Sequence, residues 1–104
     1  MSVLESLKKP PFNLSEGDLK WVADRLAGLS MDDRIRQLFV HISMGDDPAA
    51  IRNIMATKPG GLCRFIGDSL ENASNGTRLA MELSDIPPFV TGDLEGGGHL
   101  SSAM

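Results

Sequence analysis

The sequence predicts an α/β fold built on a parallel sheet. Three short apolar runs with β-branched and aromatic residues predict strands at residues 38–43, 62–66 and 89–92. The first of these strands is predicted to be buried on both faces, as in a parallel sheet. Helical patterns separate these runs, so a strand recurs about every 25 residues, which is typical of βαβ units. Because a parallel sheet needs cover on both faces, three strands with two crossover helices predict a piece of a larger α/β fold.

Two helices are predicted before the first strand. Ser15 has the character of an N-cap for a helix over residues 16–27, and Gly28 supplies the stop at its carboxyl end. Ser30 with Asp33 three residues later resembles a capping box and predicts a short helix that ends at Gln37. Residues 1–14, which include two lysines and two prolines, are predicted to be an extended lead-in.

The two crossover helices also carry local signals. Asp47 is a predicted N-cap with Pro48 at the first helical position, and the apolar stripe of that helix is Ile51, Ile54 and Met55. The next helix is predicted at about residues 69–83. An Asn-Gly pair at residues 75–76 is expected to weaken its middle by about 1 kcal/mol.

Size, charge and cysteine content exclude several classes of protein. A chain of 104 residues is enough for one small domain. Its net charge of −4 argues against a nucleic-acid or membrane-surface partner. No apolar stretch is long enough to cross a membrane, and the N-terminus lacks the apolar core of a secretory signal. The single cysteine, Cys63, cannot form an internal disulfide, so we expect a reducing cytoplasm.

The segment VTGDLEGGGHL, residues 90–100, is the most informative for chemistry. Gly92 and Gly97 have the spacing of a phosphate-binding loop, but the lysine that such a loop requires is missing, and no dinucleotide-binding glycine pattern follows any strand. A metal site from Asp93, Glu95 and His99 is a weak interpretation because no second histidine lies nearby. We therefore predict no cofactor and no metal.

Asp93 and Glu95 remain as candidate ligand-binding carboxylates. On an extended strand they point to the same face, roughly 7 Å apart, and this suits them better to holding hydroxyl groups than to acting as an acid and a nucleophile across one bond. The competing interpretation is that they only cap the turn that follows. Asp93 nevertheless falls at the carboxyl end of a parallel strand, where α/β folds place their ligand sites.

Arg64 is the one charged residue inside the second predicted strand, and with Asp93 and Glu95 it is the third candidate substrate-binding residue. A buried arginine needs an anion, and Asp93 or Glu95 could supply it if the strand faces that carry these residues both point inward. His41, in the first strand, is interpreted as a half-buried strand histidine.

Three segments in order resemble one known family. LSMDDRIRQLFV (residues 29–40), KPGGLCRF (58–65) and IPPFVTGDLEGG (86–97) are similar to the N-terminal domain of glycoside hydrolase family 3. The likeness is strongest to its β-N-acetylhexosaminidase-like branch, in which the third barrel strand ends in Asp-x-Glu-Gly-Gly. It covers roughly residues 15–104. Residues 98–100 depart from the Arg-Val continuation common in that branch, which leaves the substrate open.

The resemblance implies a partial (β/α)8 barrel, a TIM barrel, of which this chain holds the first three strands after a lead-in of residues 1–14. It implies retaining hydrolysis of a β-N-acetylhexosaminide or β-glucoside by the full-length form, with Asp93 holding hydroxyls of the carbohydrate in the −1 subsite. The family's nucleophile and acid/base loop come later, so this segment is predicted to be inactive alone. The alternative is a non-catalytic small α/β binding or interaction module.

Overall fold

The computed structural model describes residues 2–65 and 69–92 of the chain. It confirms a mixed α/β fold with a three-stranded parallel sheet. The elements in chain order are α1 (Val3–Ser6), α2 (Glu16–Gly28), α3 (Met31–Arg36), β1 (Val40–Ser43), α4 (Pro48–Met55), β2 (Gly61–Arg64), α5 (Leu70–Glu82) and β3 (Phe89–Thr91). The chain divides into two compact units, Met1–Arg34 and Ile35–Met104.

The first unit is helical. Ser15 caps α2 as predicted, and a reciprocal bond makes a capping box: the Ser15 hydroxyl accepts from the Asp18 backbone N–H at 3.1 Å, while the Asp18 carboxylate accepts from the Ser15 backbone N–H at 2.9 Å. The lead-in differs from the prediction, since Val3–Ser6 is a helix capped by Ser2. The Ser2 hydroxyl accepts the Glu5 backbone N–H, and this local bond favours a helical turn over an extended chain.

The second unit holds the sheet, whose spatial order β1–β2–β3 is also the chain order. Asp47 caps α4 by accepting the Ala49 backbone N–H at 3.1 Å, and Pro48 occupies the first turn, both as predicted. Ser69 caps α5 in the same way through the Asn72 N–H. These caps set the starts of both crossover helices, which pack on the same strand.

One face of the sheet is covered by the two crossover helices. Leu62 of β2 is completely buried in a core cluster with Ile51 and Met55 of α4 and Ala80 of α5, and Ile54 and Leu79 pack against its edge. The predicted stripe of α4 therefore faces the sheet. This cluster is where apolar burial stabilises the unit, since a fully buried aliphatic side chain contributes about 1.5–3 kcal/mol.

The opposite face of the sheet is open, which corrects the prediction that β1 is buried on both faces. Val40 and Ile42 of β1 are 53% and 59% exposed, and Phe89 of β3 is 78% exposed. By register, Val40 lies beside Gly61 and Gly61 beside Phe89, so these side chains share one face. His41, interpreted from the sequence as half-buried, is exposed on this edge strand. Apolar composition predicted the strand but could not show what covers it.

The glycine pair of KPGG has a packing reason at each position. A Cβ at Gly60 would collide with the backbone carbonyl of Gln37, so the chain can pass there only without a side chain. A Cβ at Gly61 would lie 2.9 Å from the Phe89 carbonyl oxygen and 3.2 Å from a methyl of Val40. The Gly60 N–H donates to the Phe39 carbonyl at 3.0 Å. The pair therefore lets β2 enter the sheet between its two neighbours.

Candidate functional site at the carboxyl edge of the sheet

The carboxyl ends of the three strands lie at one edge because the strands are parallel. Ser43, the last residue of β1, pairs in register with Arg64, the last residue of β2. β3 ends at Thr91, which pairs in register with Cys63, the residue before Arg64. Gly92 is the last described residue on this side. β3 therefore ends at the same edge of the sheet as Arg64.

Asp93 and Glu95 themselves lie outside the described residues, as does His99. Their assignment as substrate-binding carboxylates stays a prediction. The same holds for the idea that Arg64 reaches them. The structure instead gives Arg64 a partner that the sequence reasoning did not consider.

Arg64 forms a buried ion pair with Asp46. Its Nη2 donates to Asp46 Oδ1, and the side chains of both residues are only 1% exposed. Its Nη1 donates to the hydroxyl of Thr77 in α5 at 2.9 Å. The expectation that this buried arginine needs an anion is confirmed, with Asp46 as the anion. A buried pair held by further hydrogen bonds offsets a desolvation penalty that a lone charge would leave uncompensated.

The backbone around Asp46 is shaped by its own sequence. Ser43 is completely buried, and its hydroxyl donates to the Gly45 carbonyl at 2.9 Å, which turns the chain directly after β1. Asp46 follows this turn and points at Arg64, while its neighbour Asp47 caps α4. The two adjacent aspartates thus have separate tasks. The pair of acids directly after β1 was the available signal for the partner of Arg64.

Helix α5 is adapted to the guanidinium group. Gly76 is buried in the helix, and a Cβ built there would lie 2.7 Å from Nη2 and 3.1 Å from Nη1 of Arg64. Glycine at this position therefore lets the helix approach the ion pair closely, at a cost in helix propensity of about 1 kcal/mol. The sequence predicts this cost in helix stability, and the structure shows why glycine is nevertheless present: a side chain at position 76 would collide with Arg64.

Two buried polar atoms of this cluster have no partner in the described part of the chain, namely Asp46 Oδ2 and Arg64 Nε. They belong to the same ion pair, and they are the atoms that a side-on, two-bond arginine–carboxylate contact would join. The pair is thus held by one bond to the carboxylate and one to Thr77. The unused donor and acceptor face an interior position, where an unsatisfied group costs about 1–3 kcal/mol.

A pocket of about 290 Å³ adjoins the ion pair. It is lined by Asp46, Asp47, Pro48, Asn72, Asn75 and Gly76, from the start of α4 and the first half of α5. Its carboxylates and amides can exchange hydrogen bonds with hydroxyl groups. Within residues 2–65 and 69–92, no group of three or more histidine, cysteine, aspartate or glutamate side chains is arranged to hold a metal ion.

Comparison with known proteins identifies no relative. No family model matches the chain, and no curated protein or solved structure matches it significantly. No helix in the described part of the chain has the length and apolar character needed to cross a membrane.

Proposed function

We propose that this chain supplies the first three βα units of a family 3 glycoside hydrolase barrel and, in Asp93, part of its −1 sugar-binding subsite. One observation supports the proposal most: three parallel strands lie side by side in chain order, with both crossover helices on one face. Successive units of a (β/α)8 barrel have this arrangement, with helices outside and ligand sites at the carboxyl ends of the strands.

The open face of the sheet is consistent with this proposal. Val40, Ile42 and Phe89 present apolar side chains on the face away from α4 and α5. In a closed barrel the corresponding face points to an interior filled by branched apolar side chains of several strands. What matches a barrel is the apolar pattern of this open face, which lies opposite the face that carries Leu62.

Within this proposal the three predicted site residues have different roles. Asp93, with Glu95 beside it, would hold sugar hydroxyls through carboxylate oxygens at the strand edge. Arg64 is held by Asp46 and Thr77 on the helix-covered face. Its role would be to fix the end of β2, beside the strand end that leads to Asp93, against the two crossover helices. The full-length enzyme would hydrolyse a β-N-acetylhexosaminide or β-glucoside with retention of configuration. Its nucleophile and its acid/base residue would come later in the family's sequence than the part that residues 15–104 resemble.

The test is sugar binding by the 104-residue chain, followed by NMR shifts during titration with N-acetylglucosamine or glucose. We expect saturable binding at about the millimolar level, where each tenfold loss of affinity equals about 1.4 kcal/mol. Asp93→Asn is expected to weaken binding at least about tenfold, since it removes a charged acceptor. Asp32→Asn, in α3, is the control and should leave the titration unchanged.

The chain alone should release no nitrophenol from a nitrophenyl β-glycoside, because hydroxyl-binding carboxylates supply no covalent step. Hydrolysis that persists through purification of the chain would contradict the proposal that the nucleophile and the acid/base residue are absent from these 104 residues. Absence of any sugar binding would contradict the glycosidase proposal itself and favour the non-catalytic α/β module.

A further inference from the structure

The Asn75–Gly76 pair in the middle of α5 has a chemistry that the proposed function does not use. Asn75 is exposed, whereas Gly76 is buried against the guanidinium of Arg64. We propose that Asn75 is a conformation-dependent site of spontaneous deamidation, which is blocked while α5 is folded and becomes reactive when this part of the helix opens.

The reaction needs only the chain and water. The backbone nitrogen of Gly76 loses its proton and attacks the side-chain amide carbon of Asn75, a C–N bond forms, and ammonia leaves with the former amide nitrogen. Water then opens the five-membered imide at either carbonyl and gives aspartate or isoaspartate. Glycine is the most permissive following residue because it has no side chain to obstruct the attack, and asparagine is among the thermolabile residues.

The helix blocks this attack by geometry. Inside Leu70–Glu82 the Gly76 N–H is directed along the helix toward the carbonyl four residues earlier, and the helical backbone holds its nitrogen away from the Asn75 side chain. Ring closure therefore requires local opening, whose free energy sets the rate when opening and closing are fast.

Arg64 controls that opening. It contacts Gly76 and donates to the hydroxyl of Thr77, so it ties this turn of α5 to strand β2. A larger residue at position 76, which would slow the chemistry, would collide with the same guanidinium. The contacts of Arg64 with this turn thus slow deamidation of the Asn75–Gly76 dipeptide by keeping α5 closed.

The product changes the site. Asn75 lines the same pocket as Asp46 and Asp47, so a carboxylate at position 75 adds a third negatively charged side chain to that pocket. Like charges brought together there oppose folding of α5, and isoaspartate also lengthens the backbone within a helix. Deamidation would therefore make an initial opening of α5 irreversible.

The experiment incubates the full chain at mildly alkaline pH, native and in denaturant, and follows the gain of one mass unit at each asparagine by peptide mass spectrometry. We expect Asn75 to react at least about tenfold more slowly in the native chain than in denaturant, which corresponds to about 1.4 kcal/mol of opening. Asn72, which precedes Ala73 in the same helix, provides the internal comparison.

Two variants connect the rate to the packing. Arg64→Ala should accelerate native deamidation at Asn75 several-fold, and the milder Thr77→Val, which removes one hydrogen bond, should give a smaller acceleration. Arg78→Ala, an exposed change in the same helix, should give none. Equal rates in native and denatured chain, or a native rate that Thr77→Val and Arg64→Ala both leave unchanged, would overturn the proposal.

Discussion

Gly76 of α5 lies so close to Arg64 of β2 that a Cβ at position 76 would be 2.7 Å from Nη2. The contact joins a helix to the strand beneath it through a charged group that is itself paired with Asp46. A residue that is unfavourable by helix propensity is thus favoured by packing. At position 76 the lack of a side chain therefore lowers helix propensity and at the same time makes room for the guanidinium of Arg64.

Gly76→Ala is expected to destabilise the second unit. Alanine at a free helical position stabilises by about 0.5–1 kcal/mol relative to glycine, but here its methyl group would displace the buried guanidinium. We expect a net loss of about 1–3 kcal/mol in the free energy of unfolding, measured by urea titration.

Gly17→Ala in α2 is the matched control for that substitution. A Cβ at Gly17 would meet only the Ser15 hydroxyl, at an ordinary contact distance of 3.8 Å. This change should leave stability unchanged or raise it by up to about 1 kcal/mol. If both variants gained stability, the close packing of Gly76 on Arg64 would be absent in solution.

Arg64→Ala is expected to lower the free energy of unfolding by about 3–5 kcal/mol, because it leaves the Asp46 carboxylate buried without a partner. The double variant Asp46→Leu, Arg64→Met should recover a large part of that loss, since it removes both charges at similar volume. Arg78→Ala is the control for loss of a surface arginine. An Arg64→Ala loss no larger than that of Arg78→Ala would show that the pair is solvent-exposed.

The helix starts were predictable from sequence because each depends on a residue next to it. Ser15 and Asp47 cap α2 and α4 by bonding to a backbone N–H two or three residues away. The observed bounds of α2, Glu16–Gly28, differ from the prediction by one residue. Local chemistry decides these positions, and a single sequence contains it.

The partner of Arg64 was not predictable in the same way. Asp46 lies 18 residues earlier in the chain, and it reaches Arg64 because Ser43 and Arg64 are register partners in a parallel sheet. Asp93 is the more conspicuous acid in the sequence, because it follows the third predicted strand and precedes three glycines. The cover of β1 is likewise a long-range property, which the apolar run at residues 38–43 does not contain.

The capping box of α2 predicts a pH dependence. The Ser15 hydroxyl donates to the Asp18 carboxylate at 2.7 Å, and with the Ser15 backbone N–H it holds the pKa of Asp18 below its ordinary value of 3.8. Because the pKa is lower in the folded state, the stabilisation is fully present above pH 3.8 and is lost as the pH falls through the folded-state pKa.

Asp18→Asn should therefore reduce stability most at neutral pH, and the difference from the parent chain should shrink in acid. Urea titrations across the acid range measure it. Ser15→Ala, which retains the carboxylate but removes its hydroxyl donor, should weaken the same pH dependence. A constant difference down to the lowest pH would mean that the Asp18 carboxylate is not held by Ser15 in solution.

The open face of the sheet predicts opposite outcomes for one substitution at two isoleucines. Ile42 is 59% exposed on the open face, whereas Ile51 is completely buried between α4 and the sheet. Ile42→Thr should change the free energy of unfolding by less than about 0.5 kcal/mol while it reduces aggregation and binding of an apolar dye. Ile51→Thr should cost more than about 2 kcal/mol, because it removes buried apolar volume and adds a hydroxyl to the core.

Urea titration and light scattering of both variants measure these effects side by side. If Ile42→Thr destabilised the chain as much as Ile51→Thr, the face that carries Val40, Ile42 and Phe89 would be covered in the folded protein, and the proposed barrel would lose the support that the open face gives it.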